Sequence, residues 1–231
     1  MIKRNVQALV LAAGKSKRCQ TGRNKLAEKM CGQELILYPT KLLSSMHIAT
    51  TVIVGHQQES IRALIAQEHD NEIECVTQPA QRGTADAVAC SQDSWTKEHI
   101  LIINGDIPLL RRSTIEDLYK KHIKTQATVS FVTAHYDQAS ECYGRVITKG
   151  KKTTVIEAAE FTEDPTIFCC ISAGIYLIRK DFLLKEIKLI KPSAISQELY
   201  ISQIINKAQE QKETITTLAA PFDTVRGVND L

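Results

Sequence analysis

Short apolar runs alternate with amphipathic stretches over the first 135 residues, and this alternation constrains the fold more than any other feature of the chain. The runs at 6–11, 51–54, 73–76, 100–104 and 128–134 are rich in β-branched and apolar residues and read as buried strands. Segments 35–45, 60–67, 84–92 and 113–124 carry apolar residues at helical spacing, with Ser113 and Glu116 suggesting a capping box for the last. Strands and helices alternating at this spacing predict a mostly parallel sheet with helices on both faces, an α/β fold of Rossmann-like type. Ligands of such sheets bind at the carboxyl ends of the strands. Chemistry is therefore expected in the loops that follow the runs at 6–11, 73–76 and 100–104.

After residue 135 the pattern changes. Residues 145–148, 155–158 and 171–178 read as strands, with a turn at Lys149-Gly150-Lys151, and predict a mixed or antiparallel extension. Helices are expected at 181–190 and 200–211, then a short strand at 215–218. No internal repeat, low-complexity tract or linker interrupts the 231 residues, which suffice to bury a sizeable core in one domain.

Composition removes several classes of function. A net charge of +3 is too small to argue for nucleic acid, and no apolar run approaches the roughly 20 residues that span a bilayer. Met1-Ile2-Lys3-Arg4-Asn5 leads into a strand without the apolar core of a signal peptide. The seven cysteines form no C-x-x-C pair and suit reduced thiols, so a cytoplasmic protein is expected. The six histidines make no i, i+4 pair or H-E-x-x-H, and no serine sits in a G-x-S-x-G elbow. No G-x-G-x-x-G follows the first strand, which argues against a dehydrogenase.

Three loops carry chemistry. Leu11-Ala12-Ala13-Gly14-Lys15-Ser16-Lys17-Arg18 ends the first strand in small residues, followed by Arg23 and Lys25. Small residues let backbone N–H groups approach a phosphate, and the cations offset its charge. A solvated basic loop is the plain alternative. Asn104-Gly105-Asp106-Ile107-Pro108-Leu109 sets a carboxylate on a glycine turn just past a strand, suited to a divalent metal or to an ordinary turn. In Gln78-Pro79-Ala80-Gln81-Arg82-Gly83-Thr84 a primary amide precedes a helix N-terminus. An amide offers both donor and acceptor to a pyrimidine edge, or caps the helix as a surface residue.

In this order and spacing the loops resemble those of the sugar-nucleotide pyrophosphorylases. The likeness is strongest to the N-terminal uridyltransferase domain of the bifunctional uridyltransferase/acetyltransferases, and it runs over essentially the whole chain. The family's L-x-A-G-x-G-T-R and P-K stand here as residues 11–18 and Asn24-Lys25, with Ser16, Lys17 and Asn24 departing from it. The resemblance implies that Arg18 and Lys25 act on the phosphates, while Leu11, Ala12, Ala13 and Gly14 cradle the nucleotide. Gln78, Gly83 and Thr84 would read uracil, with Asp86 where the family has histidine. Asp106, and Asn229 of Gly227-Val228-Asn229, would hold Mg²⁺. Gly144 of Tyr143-Gly144-Arg145, Glu157, Ser172 (asparagine in the family) and Asn104 (tyrosine in the family) would meet the sugar. Residues 197–203, with Glu198 and Tyr200, resemble the family's E-Y-Y-L-T-D segment.

The implied reaction joins UTP to a sugar 1-phosphate with Mg²⁺, giving a UDP-sugar, expected to be UDP-N-acetylglucosamine, and pyrophosphate. A nucleotide-binding half would cover about residues 1–112 and a sugar-binding half about 113–231. No nucleic-acid or membrane partner is expected, and a homo-oligomer is left open. The rivals are a catalytically weak nucleotide-sugar-binding homologue, or an enzyme for another sugar or base.

Overall fold

Side chains on successive residues of one strand explain the two-sided architecture. In β1 (Val6–Ala12), Ala8, Val10 and Ala12 enter one apolar core, while Leu9 enters a second on the other face of the sheet. Such alternation with both faces buried is the mark of a central strand in a doubly covered sheet. The computed structural model describes residues 2–14, 24–136, 143–150, 152–162 and 169–228.

A one-turn helix α1 (Ile2–Asn5) precedes β1. After it come a hairpin of β2 (Lys29–Met30) and β3 (Gln33–Glu34), then α2 (Leu37–Ser45), β4 (Ala49–Val54), α3 (Gln58–Glu68), β5 (Glu74–Thr77) and α4 (Thr84–Cys90). The chain continues through β6 (His99–Asn104), α5 (Arg112–Lys124), β7 (Val129–His135), β8 (Arg145–Lys149) and β9 (Lys152–Ile156). It closes with β10 (Cys170–Arg179), α6 (Lys180–Glu186), α7 (Gln203–Glu210), β11 (Ile215–Ala219) and α8 (Phe222–Val225).

The main sheet runs β11-β7-β10-β6-β1-β4-β5, with the β8–β9 hairpin attached to β10 where Ile171 faces Arg145. β1 pairs in parallel with β4 and β6, β4 with β5, and β7 with β11. β10 is antiparallel to both neighbours in the row, so it is the reversed strand of that row. One face is covered by α2, α3 and α5 through Leu37, Leu43, Ile61, Ile65, Ile115 and Leu118. The other is covered by α4, α6 and α7 through Val88, Phe182, Leu183, Ile204 and Ile205. Each such side chain contributes roughly 1.5–3 kcal/mol on burial.

The expected α/β fold is present, and the differences are local. The Ser113–Glu116 capping box does not form: α5 starts from Arg111 in extended conformation with no side-chain cap, and Ser113 already lies inside the first turn. The helix expected from residue 200 begins at Gln203: Tyr200 and Ile201 line the candidate site described below, and Ser202 donates to Glu157 in its wall. The strand expected at 155–158 is the end of β9, which starts at Lys152 as the polar arm of a hairpin, and Ala158 belongs to a 3-10 turn.

Candidate active site

The loops at the carboxyl ends of β1, β4, β5 and β6 are tied to one another by backbone. Gly105 N–H donates to the Leu11 carbonyl at 2.9 Å. A Cβ on Gly105 would lie 2.9 Å from that same oxygen, so only glycine brings the β6 loop this close to the end of β1. The next residue is Asp106. Its Oδ2 is 2.7 Å from Lys25 Nζ, which also donates to the Val228 carbonyl at 2.6 Å. Val228 N–H in turn donates to the Asp106 carbonyl at 2.9 Å. One ammonium and one carboxylate thus join the segment after β1, the loop after β6 and the segment after α8.

Asn24 explains how Lys25 is held. Its Oδ1 accepts from Leu26 N–H at 3.0 Å, capping the short 3-10 turn Lys25–Ala27, and its Nδ2 donates to the His56 carbonyl at 3.1 Å. The buried asparagine orients Lys25 by hydrogen bonding. Ala13 is buried and its carbonyl accepts from His56 N–H at 3.3 Å, while Gly14 is exposed. Arg18 and Asn229 lie outside the described residues.

Asp106 opens onto a cavity of about 160 Å³ whose walls include Asn104, Gly144, Glu157, Ser172 and Thr84. All the residues expected at the sugar therefore share one hollow with Asp106, although they come from β6, β10 and the loops flanking β8 and β9. Glu157 accepts a hydrogen bond from Ser202 Oγ. Burial pushes its carboxyl above the ordinary carboxylate range, and the Ser202 bond opposes that shift. Ser172 Oγ lies 3.1 Å from Tyr176 OH, whose phenol burial also pushes up. Gly174 has φ +70, and a Cβ there would stand 2.3 Å from Asn104 Nδ2, so the Asn104 amide lies directly over the bare glycine. A larger hollow of about 250 Å³ between β9 and α7 shares Glu157 but does not reach Asp106.

The loop from β5 to α4 is sewn to residues 199–201. Leu199 N–H donates to the Arg82 carbonyl and Ala85 N–H to the Leu199 carbonyl, each at 2.8 Å, and Ile201 N–H donates to Thr84 Oγ1 at 2.9 Å. Gln78 is buried, and its Nε2 donates to the Gly83 carbonyl at 3.1 Å and to Asp86 Oδ2 at 2.7 Å. Sequence reasoning noted Asp86 as a departure but not its partners. It also left out Tyr143 as a site residue; its hydroxyl accepts from Gly227 N–H at 3.1 Å and so braces the segment after α8. The Y-G-R element was the available signal for it.

Among the described residues no group of three or more His, Cys, Asp or Glu is arranged to hold a metal. The donor set fits a hard divalent cation in another mode. Mg²⁺ commonly takes one or two protein oxygens and fills its shell with water and substrate phosphates. Asp106 offers such an oxygen: Oδ1 faces Gly227, where a Cβ would stand 3.4 Å away and narrow the approach.

Residues 7–221 match the family described as Nucleotidyl transferase. The protein named Bifunctional protein GlmU from Thermosipho africanus is 32% identical over 226 residues, covering 97% of this chain and 48% of the relative. The protein of the same name from Geotalea daltonii is 32% identical over 232 residues, covering 97% of this chain and 50% of the relative. The chain spans about half the length of these curated relatives. Among solved structures, the inositol-1-phosphate CTP transferase from T. maritima superposes with a TM-score of 0.69 at 14% identity, over 94% of this chain and 86% of that one. A protein from Bacillus anthracis, provisionally designated a glucose-1-phosphate thymidylyltransferase, gives 0.73 at 19% identity, over 93% and 87%. These two similarities bear on the fold, and the sequence match carries the family. Because that family model matches all but the two ends of the sequence, this chain belongs to the nucleotidyl transferase family.

Proposed function

We propose that the protein joins UTP and a sugar 1-phosphate into a UDP-sugar with release of pyrophosphate, with N-acetylglucosamine 1-phosphate as the acceptor to try first. The observation that carries this reading is the position of Asp106, which touches Lys25 on one side and opens onto the polar hollow on the other. A nucleotidyl group passing from a triphosphate to a sugar phosphate would be served by such a junction, with a cation on one side and a polar hollow on the other. A phosphate oxygen of the sugar phosphate would attack the α-phosphorus in line, and the bond to pyrophosphate would break. Chemistry of this kind needs positioning and charge neutralisation more than covalent help from the protein.

Lys25, held in place by the Asn24 cap, would offset triphosphate charge, and Arg18 would share that role. Glu157 and Asn104 line the hollow as an acceptor and a mixed donor–acceptor for sugar hydroxyls. Gln78 and Gly83 would meet the base. Asp106, with Asn229, would hold Mg²⁺, which when bound neutralises charge on phosphate oxygens. The likeness of the three loops to those of the uridyltransferase domains supports UTP and N-acetylglucosamine 1-phosphate as first substrates.

A second reading keeps the reaction class and changes the acceptor. Ser172 is turned to Tyr176 at 3.1 Å, and the Asn104 amide rests on Gly174, so both polar groups have protein neighbours. Pyrophosphate release, measured with Mg²⁺ across the common nucleoside triphosphates and a panel of sugar 1-phosphates, tests both readings. Turnover with UTP and N-acetylglucosamine 1-phosphate supports the first. Turnover with UTP and another sugar phosphate supports the second. No turnover with any pair overturns both and leaves a binding protein.

A further inference from the structure

We infer that Asp86 is a positioning residue that sets base specificity, by fixing which way round the Gln78 amide sits. The inference rests on the reading above that Gln78 faces the nucleobase. A primary amide presents two N–H donors on nitrogen and an acceptor on oxygen, and reversing it exchanges them. Here the orientation follows from the partners. The groups at 2.7 and 3.1 Å from Nε2 are a carboxylate oxygen of Asp86 and the carbonyl of Gly83, and both accept only. Reversal would set the amide oxygen against two acceptors and break both bonds, next to a carboxylate only 6% exposed.

Asp86 is itself anchored. Its Oδ1 accepts from Arg82 Nε at 3.2 Å and from Nη2 at 2.7 Å, which leaves Oδ2 to Gln78. Among the described residues no hydrogen bond reaches the Gln78 side-chain oxygen, so on the reading above it is the group that would meet the base. An acceptor held in this way calls for an N–H on the base. Uracil and thymine present N3–H at the pairing edge, whereas cytosine presents a lone pair at N3, and two acceptors would then oppose each other. A neutral residue at 86 that can both donate and accept removes this constraint and lets the amide reverse for cytosine.

The test is calorimetric binding of UTP and CTP to the full chain, beside the turnover assay. The wild type should prefer UTP. Asp86→Asn should lower the UTP:CTP affinity ratio by about tenfold or more, the loss of roughly one hydrogen bond's discrimination. Asp86→Glu, which keeps the acceptor-only carboxylate, should restore most of that ratio. Arg82→Ala leaves the Gln78–Asp86 bond in place and should hold the ratio within about threefold of wild type. Asp86→Ser provides a second neutral variant in case the asparagine variant folds poorly, with far-ultraviolet circular dichroism as the control. Folded neutral variants with the wild-type ratio overturn this inference alone if the wild type still turns over UTP. A wild type that binds both nucleotides equally overturns it too, and one that binds neither ends the uridyltransferase reading with it.

Discussion

The Lys25–Asp106 pair keeps only 15 and 20% of its side-chain surface exposed, and the cost of taking both charges out of water offsets most of their attraction, so the pair adds little net to folding. A pair that adds little net to the fold, set beside a glycine that permits a 2.9 Å backbone approach, suits the catalytic role proposed for Asp106. Asp106→Asn should therefore lower turnover by about 10²–10³, the usual loss when one preorganised electrostatic group is removed, and move the melting temperature by only a few degrees. Steady-state pyrophosphate release and a thermal melt check the two halves of that expectation; a near-normal rate would remove Asp106 from the centre. The position of Asp106, beside a cation and at the edge of a hollow, was legible in the sequence because a Gly-Asp just past an apolar run has a physical reading. The role of Asn24 was not. It depends on the His56 carbonyl arriving from another loop, and no local pattern encodes that meeting.

At the scale of elements, Gly83 decides how the β5–α4 loop meets the segment before α7. Its φ of +123 lies in the region that side chains disfavour, and a Cβ would come within 2.5 to 2.9 Å of the Leu199 backbone. Gly83→Ala must push these two segments apart or strain both. Backbone strain and overpacking each cost about 1–3 kcal/mol, so a loss of at least roughly 2 kcal/mol is expected in urea unfolding. The affinity for nucleotide should weaken as well, because Thr84 and the 199–201 segment shift together. An alanine variant with wild-type stability would show that the loop yields freely. Strands were the legible elements, since β1, β4, β6, β7 and β10 are apolar enough to announce themselves. The β2–β3 hairpin, β9 and the one-turn helices α1 and α8 were missed or misplaced. Lys152, Thr153 and Thr154 give β9 an open polar start, and a single turn of helix has no periodicity to read.

Over the whole molecule, what the sequence could not reveal is strand order, because pairing joins residues far apart in the chain. Nothing local says that β10 enters in reverse between β6 and β7. One product of that arrangement is a buried histidine pair in which no role was visible from spacing. His122 of α5 has Nδ1 2.6 Å from Ser130 Oγ on β7 and Nε2 3.1 Å from His99 Nδ1 on β6, so it pins the helix across the reversed strand. Burial, then the neighbouring His99 and Arg179, push the His122 pKa down from 6.5 to about 4. Because the folded value is the lower one, the unfolded chain takes up the proton first as the pH falls. The stabilisation is complete above about pH 6.5 and is lost progressively toward pH 4. The gap corresponds to about 3 kcal/mol in full, of which about 2 kcal/mol is gone by a pH near 5. Urea unfolding at about pH 7.5 and 5 checks this, with His122→Gln as the comparison. The variant should be less stable at both values, yet its loss between them should be smaller than the wild type's by about 2 kcal/mol. Equal losses in the two proteins would mean that His122 accepts its proton within the fold, and that the pair does not hold it neutral.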